Sequence, residues 1–280
     1  MLNQTTIVTD VLKKHVVDKA LNKSISYAKT PKRNLSPSMD FLCIRKTFFN
    51  FKYSGGAALD IDPRDITYEG ERAKQVGNEY HAFLEKQFTD AGILVLSEFT
   101  LEDEDYHIKA RIDFIVEINK KLYLIEAKSA KSYSVKIMKE ESSPDIEHQK
   151  QIQMYFHLLD HNKDLPELKT ALKGRAINQG MIFYESKNDH KPLEFIINKN
   201  NAIIQELLDF ARIVWDKKEK NQEPKQKFEP DSVECLYKCK AQFYELCHGK
   251  PNPIKETIVD EGVWGFGNVK PSVTKEPKFV

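Results

Sequence analysis

Two short apolar runs on either side of a polar break constrain this chain more than any other feature. Ile108-Lys-Ala-Arg-Ile-Asp-Phe-Ile-Val116 and Leu122-Tyr-Leu-Ile-Glu-Ala-Lys128 are rich in β-branched and aromatic residues and flank Asn119-Lys120-Lys121, the pattern of a hairpin. With Asn119 and Lys120 as a two-residue loop, Ile118 pairs with Lys121 and paired residue numbers sum to 239. Asp113 then stands opposite Glu126. Side chains alternate along a strand, so Lys128 shares a face with Glu126. Two carboxylates and one ammonium converge on one patch, and a hard cation such as Mg²⁺ takes such a pair of oxygens.

The chain has 280 residues, enough to bury a core as one large domain or a domain with a small appendage. Lys plus Arg number 43 against 42 Asp plus Glu, so no overall positive field attracts polyanions. Any nucleic-acid contact has to come from a local groove. The opening Met1-Leu-Asn-Gln-Thr-Thr6 has neither the basic start nor the apolar stretch of a secretory signal, and no apolar run reaches bilayer-spanning length. A soluble cytoplasmic protein with no membrane partner is the expectation.

Cys43 lies alone near the start, whereas Cys235, Cys239 and Cys247 are bunched near the end. Clustered cysteines in a cytosolic chain more often ligate metal than form disulfides. Four thiolates suit tetrahedral zinc or a [4Fe-4S] cluster, and the spacing does not choose between them. Buried, unligated cysteines acting as small hydrophobes are the plainer alternative.

Along the chain, Ile7 to Ala28 reads as a helical lead-in, followed by a Ser- and Pro-punctuated stretch in which Ser36 and Ser38 are candidate caps for a helix over Met39 to Phe51. Asp60 to Thr67 reads as a loop. Glu69 to Asp90 has helical spacing and carries His81, in isolation more often a packed histidine than a ligand. Ile93 to Leu101, with Glu98 inside it, reads as a strand. After a polar stretch, Ser143 as N-cap and Pro144 at the first helical position predict a helix that buries Ile152, Tyr155, Phe156 and Leu159. Gln151 and Tyr155 sit one turn apart on it; from spacing alone, Tyr155 is core and Gln151 a boundary residue. Gly180 to Glu185 and Leu193 to Asn198 read as strands, Asn201 to Trp215 as a helix, and the following charged run as a solvated linker or frayed helix end rather than a DNA grip.

With these elements in order, the chain resembles the PD-(D/E)xK nuclease superfamily, and within it the RecB-like branch. Asp113 and Glu126-Ala-Lys128 match the core motif, Gln151-Ile-Gln-Met-Tyr155 looks like the branch's Q-x-x-x-Y helix, and Gly77-Asn-Glu-Tyr-His81 resembles its upstream histidine helix. Leu35-Ser-Pro-Ser-Met-Asp-Phe-Leu-Cys43 resembles the entry to the iron-sulfur members, which include AddB-type helicase-nucleases and CRISPR-associated and phage-borne exonucleases. The chain departs from the branch in carrying Ala110 where a glycine is common and in its wider cysteine gaps; it has no P-loop.

The resemblance implies an α/β (α+β) fold with a restriction-endonuclease-like core, a central mixed sheet flanked by helices. It implies Mg²⁺ or Mn²⁺ held by His81, Asp113, Glu126 and the Ala127 main-chain oxygen, with Lys128, Gln151 and Tyr155 in catalytic roles. It implies a [4Fe-4S] cluster, zinc being the alternative, on Cys43, Cys235, Cys239 and Cys247. The expected organisation is a lead-in over 1–34, a nuclease core over 35–215, a charged linker over 216–230, a cysteine segment over 231–250 and a loosely ordered tail over 251–280, whose Trp264 and Phe266 could dock on the body or on a partner. The implied activity is exonucleolytic cleavage of single-stranded DNA or duplex ends in recombination, repair or processing, alone or with a helicase or recombination protein. Two rivals are a catalytically weak DNA-binding adaptor, against which every motif acid and the lysine stand, and an endonuclease.

Overall fold

The structure, a computed structural model, describes residues 7–28, 31–54, 68–236, 238–239, 241–250 and 253. The expected loop over 60–67 and the Trp264 and Phe266 docking residues lie outside them. In chain order the elements are α1 (Ile7–Ala28), α2 (Ile44–Lys52), α3 (Tyr68–Asp90), β1 (Leu94–Asp103), β2 (Ile108–Ile118), β3 (Lys121–Ala130), α4 (Ser132–Glu141), α5 (Ile146–His161), α6 (Pro166–Leu172), β4 (Gln179–Ser186), β5 (Pro192–Asn198), α7 (Asn201–Glu219), α8 (Val233–Leu236) and α9 (Ala241–His248).

The hairpin forms in the anticipated register. Ile118 pairs with Lys121, Val116 with Tyr123 and Phe114 with Ile125, and Asn119 and Lys120 both take positive φ, 51° and 64°, as a tight turn matching strand twist requires. The strands assemble into one five-stranded sheet in the order β1-β2-β3-β4-β5. Neighbours are antiparallel except β3 and β4, which are parallel and therefore need a crossover, supplied by α4 to α6. This is the central mixed sheet flanked by helices that the resemblance implies.

Two apolar layers cover the sheet. On one face Tyr80 and Leu84 of α3, one turn apart, pack on Phe114, Val116, Ile125 and Ala127. On the other, α5 and α7 bring Ile152, Phe156, Leu159, Leu207 and Ala211 onto Ile112, Ile115, Leu124 and Ile182. Gly180 lets α5 approach: a Cβ there would lie 2.6 Å from Ile152 Cδ1 and 2.9 Å from the Leu124 oxygen.

The hairpin does not stay zipped along its length. The ladder between β2 and β3 ends at Phe114–Ile125, while β2 continues on β1 as far as Ile108 and β3 continues on β4 as far as Ala130. The two strands thus fork. Alternation shifts at the same place, because Ala110 and Ile112 face the α5 layer whereas Phe114 and Val116, of the same parity, face α3. Beyond the fork Leu35 bridges Ile108, covering backbone that β3 has left.

Several boundaries differ from the sequence expectation. The helix expected over Met39 to Phe51 begins at Ile44, with Cys43 at its N-cap and no side-chain cap. Ser36 instead enters a tight turn in which Asp40 accepts its N–H, and Lys32 pairs with Asp40. The cap of α5 is Asp145, whose carboxylate accepts the Glu147 N–H at 2.7 Å, rather than Ser143. Ser142, in the left-handed conformation, and Ser143 spend their N–H groups closing α4 onto Lys139 and Met138. Helices α4 and α6 were not anticipated, and α7 runs on to Glu219 into the stretch read as a linker.

Candidate active site

The fork gathers donors from three elements. Asp113 lies where β2 leaves β3; its Oδ2 accepts the Ala127 N–H at 2.9 Å, taking the place of the next ladder bond. His81, reaching down from α3, has Nε2 3.1 Å from the Ala127 oxygen and Nδ1 3.7 Å from Asp113 Oδ1. Glu98 approaches from β1, its Oε1 3.3 Å from His81 Nδ1 and its Oε2 paired with Arg111 Nε at 2.6 Å. Ligand atoms of His81, Glu98 and Asp113 all lie within 4.8 Å of one another.

Glu98 is the residue that sequence reasoning missed. It stands at φ +50° inside a strand, a conformation a non-glycine side chain adopts at a steric cost and one that concentrates at functional positions. Ser97 pairs with Phe114 and Phe99 with Ile112, leaving Glu98 and Asp113 facing each other out of the ladder. Its one visible signal in the sequence is a lone carboxylate in an otherwise uncharged strand, Leu94 to Leu101.

Glu126 follows one step along β3 and is fully buried. Its carboxylate is ion-paired with Lys128 Nζ, yet neither oxygen takes a hydrogen bond of normal geometry. Burial drives its pKa well above the usual carboxylate range, and Asp113 adds to this against the pull of Lys128 and His81. Asp113 is raised as well, by burial first, with Lys128 and the Ala127 N–H working the other way. For Lys128, burial disfavours the ammonium, but Glu126 and Asp113 outweigh it and the pKa rises.

Gln151 and Tyr155 are both buried, Gln151 Nε2 donating to the Tyr155 hydroxyl at 2.6 Å and that hydroxyl donating to the Arg111 oxygen at 3.2 Å. Burial, then Glu126 and Asp113, hold the Tyr155 pKa far above normal, so its proton stays on. The structure therefore brings together His81, Asp113, Glu126, Ala127 and Lys128, with Gln151 and Tyr155 as a buried brace behind them. His148 also belongs to the surroundings, with Nδ1 2.8 Å from the Tyr184 hydroxyl; burial, then Lys128, push its pKa down to about 4.

These donors fit a hard divalent cation. A fully buried carboxylate whose close partner is a single ammonium is costly to leave so, and carboxylate and carbonyl oxygens are ordinary ligands for Mg²⁺ or Mn²⁺.

Cys43, Cys235, Cys239 and Cys247 line a single cavity between the start of α2 and the α8–α9 segment, and no disulfide joins them. Burial, then Cys247, raise the Cys239 thiol to about 12. Cys247 is raised to about 11 by burial, with Cys43 and Cys235 adding and Arg45 opposing. The cavity thus draws together four cysteines from distant parts of the chain. Among the described residues, no helix is long and apolar enough to cross a membrane.

The sequence profile of the PD-(D/E)XK nuclease superfamily matches residues 55–248. No curated protein matches the chain. Among solved structures, the alkaline exonuclease LHK-Exo from Laribacter hongkongensis is similar at 13% identity and a TM-score of 0.45, over 71% of this chain and 92% of that one. The structure titled SSO0001 is similar at 19% identity and a TM-score of 0.43, over 72% and 85% of the two chains. A phage-related exonuclease from Haemophilus somnus 129PT is similar at 16% identity and a TM-score of 0.36, over 64% and 81%.

Proposed function

The chain belongs to the PD-(D/E)XK nuclease superfamily, and we propose on that basis that it is a Mg²⁺- or Mn²⁺-dependent deoxyribonuclease, an exonuclease on single-stranded DNA or duplex ends. One observation carries the reading: the fully buried Glu126 carboxylate, paired with Lys128, stands beside Asp113, His81 and the Ala127 oxygen. His81, Asp113, Glu126 and the Ala127 oxygen would hold the cation, with Glu98 as a further donor. When bound, the cation supplies charge to offset the scissile phosphate and acidity for the attacking water.

The remaining work falls to the chain. Hydrolysis forms a bond from the water oxygen to phosphorus as the bond to the leaving sugar oxygen breaks. Lys128, set against Glu126, orients that water and stabilises the negative charge gathering on the phosphate oxygens. Gln151 and Tyr155 position: through the Arg111 carbonyl they fix β2 beyond the fork, and with it Asp113. The preference for ends and single strands rests on the resemblance to the RecB-like branch carried by His81 and by Gln151 to Tyr155. The four cysteines would hold a [4Fe-4S] cluster, or zinc, and join the chain's two ends in a structural role.

The test is Mn²⁺-dependent degradation of 5′- and 3′-labelled single-stranded DNA by anaerobically purified protein, with Asp113→Ala and Lys128→Ala alongside. Cleavage by the wild type and by neither variant is the expected outcome. A folded, metal-loaded wild type that leaves the DNA intact overturns the proposal and favours a binding subunit of a larger complex.

A further inference from the structure

A second group of metal-ligating side chains lies away from the fork. Asp103 ends β1, five residues beyond Glu98 and hence about 17 Å along the strand at the usual rise. His157 and His161 are one turn apart on α5, so both rings reach the same side of the helix. His157 Nε2 lies 2.7 Å and His161 Nδ1 3.7 Å from Asp103 Oδ2, and the three ligand atoms fall within 4.8 Å of one another. Tetrahedral zinc with bonds of about 2.0–2.1 Å holds its nitrogen and oxygen ligands roughly 3.3 Å apart, and the two observed separations bracket that value.

The group sits on a fixed frame. Asn162 Nδ2 donates to the Glu102 oxygen at 3.0 Å, pinning the end of α5 to the strand that carries Asp103. The Tyr106 N–H donates to Asp103 Oδ1 at 3.1 Å, which leaves Oδ2 to the two imidazoles. The Asp103 side chain is 1% exposed and that of His161 is 38% exposed. The carboxylate is thus buried while the His161 ring is partly open to solvent. The two imidazole rings also lie against each other, with centroids 6.0 Å apart.

We propose that Asp103, His157 and His161 form a metal site separate from the catalytic centre, taking a late first-row divalent cation, zinc in the first instance. Two imidazoles and one carboxylate suit zinc better than magnesium, whose preferred ligands are all oxygens. An ion there ties α5, which carries Gln151 and Tyr155, to β1, which carries Glu98.

Cobalt(II) is the probe, added to the full chain in saturating Mg²⁺ so that the catalytic site is held by the harder ion. The wild type and Glu126→Gln should each bind one cobalt with the visible absorption of nitrogen and oxygen ligation, in addition to any cobalt whose thiolate charge transfer marks it as held by the cysteines. His161→Ala and the near-isosteric Asp103→Asn should weaken that binding about a hundredfold or more, since losing even an outer-shell partner weakens a site by 10–100-fold. Zinc should raise the melting temperature of the wild type under the same conditions and not that of either variant. His161 is half-exposed, and far-ultraviolet circular dichroism verifies its variant's fold. Cobalt binding that is unchanged in both variants, or that shows only thiolate character, overturns the proposal.

Discussion

Lys128 and Glu126 form a buried ion pair in which Glu126 raises the Lys128 pKa and Lys128 works against the rise that burial imposes on Glu126. Removing Lys128 takes away a group that acts as charge builds on the phosphate rather than one that grips DNA. Lys128→Met should lower turnover roughly a hundredfold or more, while affinity for uncleaved DNA in Ca²⁺ shifts only a fewfold; equal losses in both would refute its role. Proton linkage at the same site has a definite sign. Asp113 and Glu126 both have raised pKa values, so between the ordinary carboxylate range and their folded values the folded state holds protons that the unfolded chain has released. Stability of the metal-free protein should therefore fall as pH rises through that interval. Melting curves in EDTA should show that slope, and Glu126→Gln should flatten it. Manganese binding, which needs both carboxylates ionised, should tighten with pH and release protons measurable by calorimetry in buffers of different ionisation enthalpy; no proton release would contradict the assignment.

Among the elements, α5 carries two separable tests. Asp145→Ala removes the carboxylate that caps the Glu147 N–H and should destabilise by about 1 kcal/mol, whereas Ser143→Ala, which leaves backbone bonds intact, should be close to neutral in the same denaturant titration. Gly180→Ala forces a methyl against Ile152 and the Leu124 carbonyl and should destabilise by about 1–3 kcal/mol. The hairpin was legible because a two-residue polar loop between two apolar runs leaves a single register. Asp113, Glu126 and Lys128 could be placed from that register by counting. Glu98 could not, since a left-handed residue breaks the alternation on which counting depends. Helix α4 escaped notice because only Val135 and Met138 of its residues are buried, too few to set a helical period in a polar run. The boundary at Ser143 failed for a related reason: two good cap residues compete there, and the ending of the preceding helix, invisible in a local window, decides between them.

For the whole molecule, the cysteine cavity joins α2 to α8 and α9 across nearly two hundred residues of sequence. Burial pushes the Cys239 and Cys247 thiols above their ordinary range. Cys239→Ser should abolish iron and sulfide binding in anaerobic preparations and lower the melting temperature; an unchanged metal content would remove the cluster from consideration. The fork in the hairpin has a further consequence for how the molecule meets its substrate. Each arm is laced into the sheet along its outer edge, β2 to β1 and β3 to β4, which holds the two arms apart. The sheet is built like a tool with fixed jaws, in which the frame, and not whatever binds there, holds the donors of the site together.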